Sequence, residues 1–371
     1  MHKNKIMYIS PYLDSTRFGG SIVSWSNLEK LKSNNWEVIT VCITRDAKNE
    51  ELNYHVGASR NKLSTAFNNI LGFSGRLSYR SIDCVINIIN NENPDIVYLD
   101  SSYLGRLAKN IKIKFPHIKI ISFFHNIEYD FELERLKKRE LQYLPSFWSA
   151  WLNERQAIRY SDILFMLHST DSDRSLTLYK RAADFFLPVT LPSCTGSEHN
   201  NISHSNFRPR KIGFFGTAFY ANIEGAKYIS NTLSPLLPEY EFIIAGKGFE
   251  KYNSELSNTN VSVLGTVESI SQFYNQADII IAPIFSGGGM KVKIAEALSY
   301  NKITIGSPFS LIGYSHLVDN INLFSASTTS DFVSIIKNLQ HIDNPRKLFL
   351  EHFSNDSVSK MMIDEIKKEL L

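Results

Sequence analysis

Asp278 to Gly313, DIIIAPIFSGGGMKVKIAEALSYNKITIGSPFSLIG, is the stretch whose reading decides the fold. It opens on Asp278-Ile-Ile-Ile-Ala-Pro283, an unbroken apolar run of the kind a parallel strand shows when both of its faces are covered. Gly287, Gly288, Gly289 and Met290 follow. From Lys291 to Leu298 the apolar residues Ile294, Ala295, Ala297 and Leu298 recur at helical spacing, with Lys293 and Glu296 on another face. Lys302-Ile-Thr-Ile305 reads as the next strand. A strand, a glycine loop and a helix start inside a βαβ unit present free N–H groups and a positive dipole end, and phosphate is the usual guest. Glycines let the backbone approach closely, Lys291 or Lys293 adds charge, and Glu296 can accept hydrogen bonds from vicinal hydroxyls. A nucleoside diphosphate with its ribose makes these demands. The spacing alone equally fits a plain βα turn with Glu296 as a solvated helix residue. GxGxxG is not met, because Val292 stands at its third glycine, and there is no GxxxxGK[ST] loop.

The segment resembles the donor-binding signature of the retaining GT-B glycosyltransferases, in which Pro283, Gly287 to Gly289, Lys291, Lys293, Glu296 and Ala297 all find their places, as in a triple-glycine subgroup. Many members carry a second Glu eight residues before this one; here that position is Gly288, which leaves main-chain amides to hold the sugar. The resemblance implies an α/β chain of the GT-B class, two Rossmann-like doubly wound parallel-sheet domains facing a central cleft. It also implies transfer of a sugar with retention, from a UDP- or GDP-linked donor to a glycan or lipid-linked acceptor, without metal or other cofactor.

Composition is that of an ordinary enzyme. A chain of 371 residues, 43% hydrophobic, is long enough for two domains with separate cores. A net charge of +3 argues against nucleic acid as a partner, and residues 1–190 are only mildly basic, with 25 Lys and Arg against 20 Asp and Glu. Cys42, Cys84 and Cys194 have no CxxC spacing and read as reduced thiols of a cytoplasmic protein. No apolar run approaches the roughly 20 residues of a membrane span, so the expectation is a cytoplasmic protein, either soluble or peripheral on the inner face of the cell membrane.

The first unit in chain order repeats the pattern: strand Ile6 to Ser10, a loop ending in Gly19-Gly20-Ser21 as a helix cap, a helix near Ile22 to Lys32, and strand Glu37 to Cys42. Residues 46–80 are polar and irregular, with helical character around Leu63 to Leu71. Helical spacing returns at Ser81 to Asn90, and buried strands are expected at Asn93 to Leu99 and Ile118 to Phe124. The second of these ends in Phe124-His125-Asn126-Ile127-Glu128-Tyr129, with an imidazole at a strand's carboxyl end, where open α/β sheets bind ligands. The string resembles the family's His-Asn/Asp-x-Glu-Tyr segment, which implies that His125 lies by the transferred sugar; Gly19 and Gly20 would face the donor phosphates.

Asp130 to Ser161 reads as charged helices interrupted at Pro145. Phe147, Trp148 and Trp151 stand beside Lys137-Lys138-Arg139, a pattern of core packing or of an interfacial helix. Ser169-Thr170-Asp171 suits a helix N-cap, and Asp171-Ser-Asp173 is read as part of that start rather than as a metal site.

The Ser-, Asn- and Pro-rich stretch before residue 210 reads as a linker, giving an acceptor-side domain at 1–190, the linker at 191–209, a donor domain at 210–350, and a helix at 351–371 returning to the first domain. That terminal helix shows Met361, Ile363, Ile366 and Leu370 as its apolar face. In the donor domain, strands end at Gly216-Thr217 and Gly246-Lys247, and another precedes Gly265-Thr-Val267. By resemblance Val267 meets the base through its backbone. Family members carry Arg and Lys where this chain has Thr217 and Asn222, so Lys291 and Lys293, then Lys247, are the cations left to neutralise the diphosphate. A nucleotide-sugar 2-epimerase and a non-catalytic module partnering another transferase are the alternatives. A NAD-dependent dehydrogenase lacks its glycine fingerprint.

Overall fold

The computed structural model describes residues 4–14, 19–34, 36–45, 50–59, 61–74, 76–137, 141–195, 208–340 and 343–368. These divide into two compact units, one of residues 1–188 with 358–371 and one of residues 189–357. Each is built on its own parallel sheet.

In the first unit the strands are β1 (Lys5–Ser10), β2 (Glu37–Thr44), β3 (Tyr54–Gly57), β4 (Ile96–Leu99), β5 (Lys119–Phe124), β6 (Ile163–Met166) and β7 (Phe185–Phe186). Their order across the sheet is 3-2-1-4-5-6-7, all parallel. In the second unit β8 (Lys211–Phe215), β9 (Glu241–Ala245), β10 (Val261–Gly265), β11 (Ile279–Ala282), β12 (Ile303–Gly306) and β13 (Leu323–Ser325) lie in the order 10-9-8-11-12-13, again parallel. The expected pair of doubly wound sheets is therefore present. In each, the strand order reverses between the first strand and the fourth, β1/β4 and β8/β11, and the loops at the carboxyl ends of those strands form the crevice where such sheets take ligands.

The central strands are buried on both faces. Ile279, Ile280, Ile281 and Ala282 of β11 are wholly inaccessible, as are Ile120, Ile121, Phe123 and Phe124 of β5. β3, β7 and β13, which sequence periodicity did not show, are short strands at or near the sheet edges.

Several local expectations need correction. Gly19 and Gly20 are not a cap before the helix but the first two described residues of the helix Gly19–Lys32 itself. Pro145 does not break a helix; it lies in the first turn of Leu144–Tyr160, after the separate helix Glu128–Lys137, at a position that needs no N–H partner. The N-cap of helix Ser169–Tyr179 is His168, whose Nδ1 accepts from the Asp171 N–H at 3.3 Å, so Asp171 is a first-turn residue there. The interfacial pattern beside Trp148 included Lys138 and Arg139, which lie outside the described residues, as do residues 196–207 of the expected linker.

The last helix runs Asn355–Lys368, and from Val358 onward it belongs to the first unit. Its buried side is Val358, Met362, Ile363 and Ile366; Met361, expected on that side, is exposed, and Leu370 lies outside the described residues. Asn34 Nδ2 donates to Ser359 Oγ at 2.5 Å, and Ser359 Oγ donates to the Lys30 carbonyl at 3.4 Å.

Candidate functional site

The second unit gathers most of the expected site residues. After β11 the chain passes through Gly287 and Gly289, both with positive φ (104° and 63°), before entering the helix Val292–Ser299. A side chain at either position would be strained, which is why glycine stands there. The helix N-cap, Lys291, makes no side-chain capping bond; the Ile294 N–H is taken by the Lys291 carbonyl at 3.0 Å, which leaves the Val292 and Lys293 amides for a ligand. Met290 is buried, and its sulfur accepts from the Val189 N–H at 3.5 Å.

That helix carries Lys293 to the end of β8. Its Nζ donates to Asn222 Oδ1 at 2.7 Å and lies 4.3 Å from the centre of the Phe214 ring. A methyl group added to Gly216 would stand 3.0 Å from the same Nζ and 2.7 Å from Asn222 Nδ2. The ammonium is thus placed against Gly216, the residue that follows β8, at the point where the strand order reverses. Burial, with Lys291 close by, pulls it down to about 7. Asn222, through its Nδ2, also donates to the Thr217 carbonyl at 2.8 Å, fixing the loop after β8 to the lysine.

Sequence reasoning treated Asn222 only as a missing cation. The structure makes it the residue that positions Lys293. Its lone polar side chain gave no signal of this, because the partner is 71 residues away.

Lys291 takes another direction. Its Nζ donates to the carbonyls of Gly288 and Gly289 at 3.1 and 2.7 Å and lies 4.7 Å from the Phe309 ring centre. Tyr314 holds the Lys291 carbonyl at 3.0 Å. Lys247 is exposed, and its carbonyl accepts from the Ala218 N–H at 2.8 Å, tying the loops after β8 and β9 together. Gly246, at φ 133°, packs directly on Gly216: an added methyl would stand 1.9 Å from the Gly216 oxygen.

Glu296 is not a solvated helix residue. It is buried, and the Tyr274 hydroxyl donates to Oε2 at 3.0 Å. Tyr274 in turn stacks on Tyr300, centroids 4.4 Å apart and planes 9° from parallel. Burial pushes the Glu296 carboxyl up to about 7, against the Tyr274 hydrogen bond and the Lys293 charge. Val267 packs on the same cluster, which includes Ala245, Phe273 and Ala297.

His125, Gly19 and Gly20 belong to the first unit. His125 follows β5 and is nearly buried; its Nε2 lies 3.3 Å from Asp100 Oδ1 and 3.2 Å from the Asp100 carbonyl oxygen. Ser10 Oγ donates to Asp100 Oδ2 at 2.7 Å, and Tyr12 meets the imidazole edge-on at 5.0 Å. Asp100 was missed by sequence reasoning, although its place just after the apolar run of β4 was a usable signal. Glu128 opens the next helix and is buried; burial, then Glu154, pushes it up to about 8.

Comparisons with known proteins bear on the fold. Residues 209–341 match the family model described as glycosyl transferases group 1. No curated protein matches the sequence. Among solved structures, a glycosyltransferase from Rickettsia africae is similar over 100% of this chain and 99% of its own, at 16% identity and a TM-score of 0.68. HepE from Anabaena, solved with UDP, is similar over 99% and 100% at 12% identity and the same TM-score, and it has also been solved with UDP-glucose. The lipopolysaccharide outer core galactosyltransferase WaaB is similar over 98% and 99%, at 18% identity and a TM-score of 0.65. At these identities the likeness is one of fold, the GT-B fold.

Proposed function

We propose that this protein is a retaining hexosyltransferase, because residues 209–341 match the family model of glycosyl transferases group 1 within a chain of GT-B fold. It moves the sugar of a UDP- or GDP-linked donor to a glycan or lipid-linked acceptor, in polysaccharide or glycoconjugate biosynthesis. The observation that carries the reading is the placement of the Lys293 ammonium against Gly216, held there by Asn222, at the reversal of strand order and beside an uncapped helix N-terminus. A diphosphate needs that combination of cation and free amides.

In this reading the loop Gly287 to Met290 and the first-turn amides receive the diphosphate. Lys293 and Lys291 supply charge, Glu296 accepts from the ribose hydroxyls, and the Val267 backbone meets the base. Gly216 and Thr217, with Gly246 and Lys247, form the opposite wall. Gly19, Gly20 and His125 serve the phosphates and the transferred sugar. As the sugar–phosphate bond breaks, a diphosphate oxygen accepts the acceptor's hydroxyl proton and the new glycosidic bond forms on the same face. Catalysis rests on stabilising the leaving charge, and no metal is required.

The test is calorimetric titration with nucleoside diphosphates and their sugars; the uridine compounds come first because HepE binds UDP and UDP-glucose. Glu296→Ala is expected to lose on the order of ten- to a hundredfold in affinity, the consequence of losing charged hydrogen bonds. A folded sample that binds no nucleotide overturns the proposal, and turnover of donor sugar without acceptor would indicate an epimerase instead. At saturating donor, Lys291→Ala is expected to lower turnover more than Glu296→Ala, since a phosphate contact gains strength as the bond breaks whereas a ribose contact does not.

Affinity is also expected to peak near neutral pH. Free Lys293, held at about 7 by burial, loses its proton above that pH, and a bound diphosphate restores it. Affinity should therefore fall by up to about tenfold per pH unit as pH rises past 7, with proton uptake on binding. Below 7 the Glu296 carboxyl, itself at about 7, takes a proton and accepts fewer hydrogen bonds, so affinity falls again. Titrations in two buffers of different ionisation enthalpy measure the proton uptake directly.

A further inference from the structure

Helix Tyr220–Tyr228, which follows β8 in the second unit, begins against two local rules. Its N-cap is Phe219, in extended backbone with φ −121° and ψ 156°, at the position where Ser, Thr, Asp or Asn ordinarily bonds a first-turn amide. An aromatic ring cannot do this, and no side-chain cap forms. The same ring is 41% exposed, so core packing does not explain it either. A residue that serves neither its helix nor the core marks a place kept for another purpose.

The ring is held in position. The Phe219 N–H donates to the Thr217 carbonyl at 2.8 Å, and Tyr220 meets the Phe219 ring edge-on, with centroids 4.4 Å apart. Both side chains border the glycine loop after β11: a methyl group added to Gly287 would stand 3.7 Å from Phe219 Cζ and 3.8 Å from Tyr220 Oη. One residue earlier, Ser286 Oγ donates to Glu224 Oε2 at 2.9 Å. Glu224 lies one turn beyond Tyr220, so this bond ties the loop to the same face of the helix.

A nucleotide sugar is a linear series of ribose, diphosphate and sugar. With the ribose at Glu296 and the diphosphate at Lys293 and the first-turn amides, the sugar falls at the far end of the loop, where Gly287 meets the two rings. We propose that Phe219, backed by Tyr220, is the platform on which the transferred sugar rests, and that this sugar is a neutral hexose. The C–H face of a pyranose packs on the ring while its hydroxyls bond the loop amides. Neutrality follows from the charges. This helix face presents the carboxylate of Glu224, Lys227 is engaged by Glu255 at 2.7 Å, and Lys291 donates to the carbonyls of Gly288 and Gly289. The carboxylate of a uronic acid would meet like charge there. The inference rests on the transferase reading, whose diphosphate site sets the direction of the donor.

The test is calorimetric titration of the full chain with UDP, UDP-glucose, UDP-galactose and UDP-glucuronate, and with GDP, GDP-mannose and GDP-mannuronate. For the base that binds, Phe219→Ala is expected to lower affinity for the hexose donor about tenfold and to leave affinity for the diphosphate alone within about twofold. Phe219→Leu, which keeps apolar bulk at this exposed place, should lose as much, and Phe219→Trp should retain hexose binding, with melting unchanged in both. The uronate donor should bind on the order of tenfold more weakly than its hexose counterpart. Equal losses for the diphosphate and the hexose donor overturn the platform, as does wild-type hexose binding by Phe219→Leu. A uronate bound as tightly as the hexose overturns the neutral assignment. Each of these results leaves the transferase reading standing, whereas a folded sample that binds no nucleotide removes both.

Discussion

Lys293→Met is expected to lower turnover at saturating donor by about a hundred- to a thousandfold, the scale seen when one preorganised stabiliser of a developing negative charge is removed. The unbranched thioether keeps the length of the stem and removes the ammonium that lies over the Phe214 ring. The fold should hardly notice. Burial already holds this amine at about 7, so its charged form is costly in the folded state, and stability contributed by losing the proton grows as pH rises from about 7 towards the unfolded value of 10.5. The losses are the bond to Asn222, worth about 1 kcal/mol, and the contact with the Phe214 ring, of similar size. Steady-state kinetics beside thermal melting separates the outcomes: a drop in turnover at an unchanged melting temperature supports the assignment, and full activity removes Lys293 from the site. His125→Ala provides the contrast, expected to impair transfer while leaving nucleotide affinity as in the wild type.

Gly246→Ala should be the most damaging single methyl in the second unit. The residue has φ 133°, outside the region open to L side chains, and its added carbon would stand 1.9 Å from the Gly216 carbonyl oxygen and 2.6 Å from the Gly216 carbonyl carbon. Neither atom is the far end of a flexible side chain. Relief requires moving β8 or β9, which are joined where the Gly216 N–H donates to the Ala245 carbonyl, while the Gly246 N–H ties the end of β9 to the Gly265 carbonyl of β10. A cost of about 3 to 5 kcal/mol is expected, read as a lower denaturation midpoint. Nucleotide affinity should fall with it, because Lys293 and Asn222 are seated against the same Gly216. A variant with wild-type stability would show that the two loops are not in contact.

How much of this was legible in the sequence follows from how local each cause is. β5 and β11 are unbroken apolar runs because both faces of the sheet are covered, so their composition alone announces them. β3, Tyr54-His-Val-Gly57, mixes polar and apolar residues because it lies at the sheet edge, and β7 has only two residues; neither has a period to read. The triple glycine was legible as a pattern, and the backbone demands glycine at Gly287 and Gly289. Asn222 was not, because one polar residue carries no pattern until the fold brings Lys293 to it; Asp100 was marked only by its place after β4, and its partner His125 comes from another strand end. Glu296 could be placed on a helix but not inside one: its burial comes from Tyr274 and Tyr300, which approach from outside its own stretch. Helix Lys62–Ile70 is the instructive case, since its apolar period correctly gave a helix while the outward direction of Leu63, Phe67 and Ile70 depended on neighbours that periodicity does not see.

The first unit is not one continuous piece of chain. Residues 358–368, with Met362 and Ile366 fully buried and Ser359 bonded to Asn34 and Lys30, are synthesised after the whole of the second unit. On the ribosome, the unit begun first must therefore wait for the one begun second. The second unit can close as soon as it emerges, whereas the first holds an uncovered apolar surface until this last helix arrives. A chain interrupted anywhere before Val358 would then leave a finished second unit joined to an unfinished first one, and the first is the part that chaperones and proteases would engage.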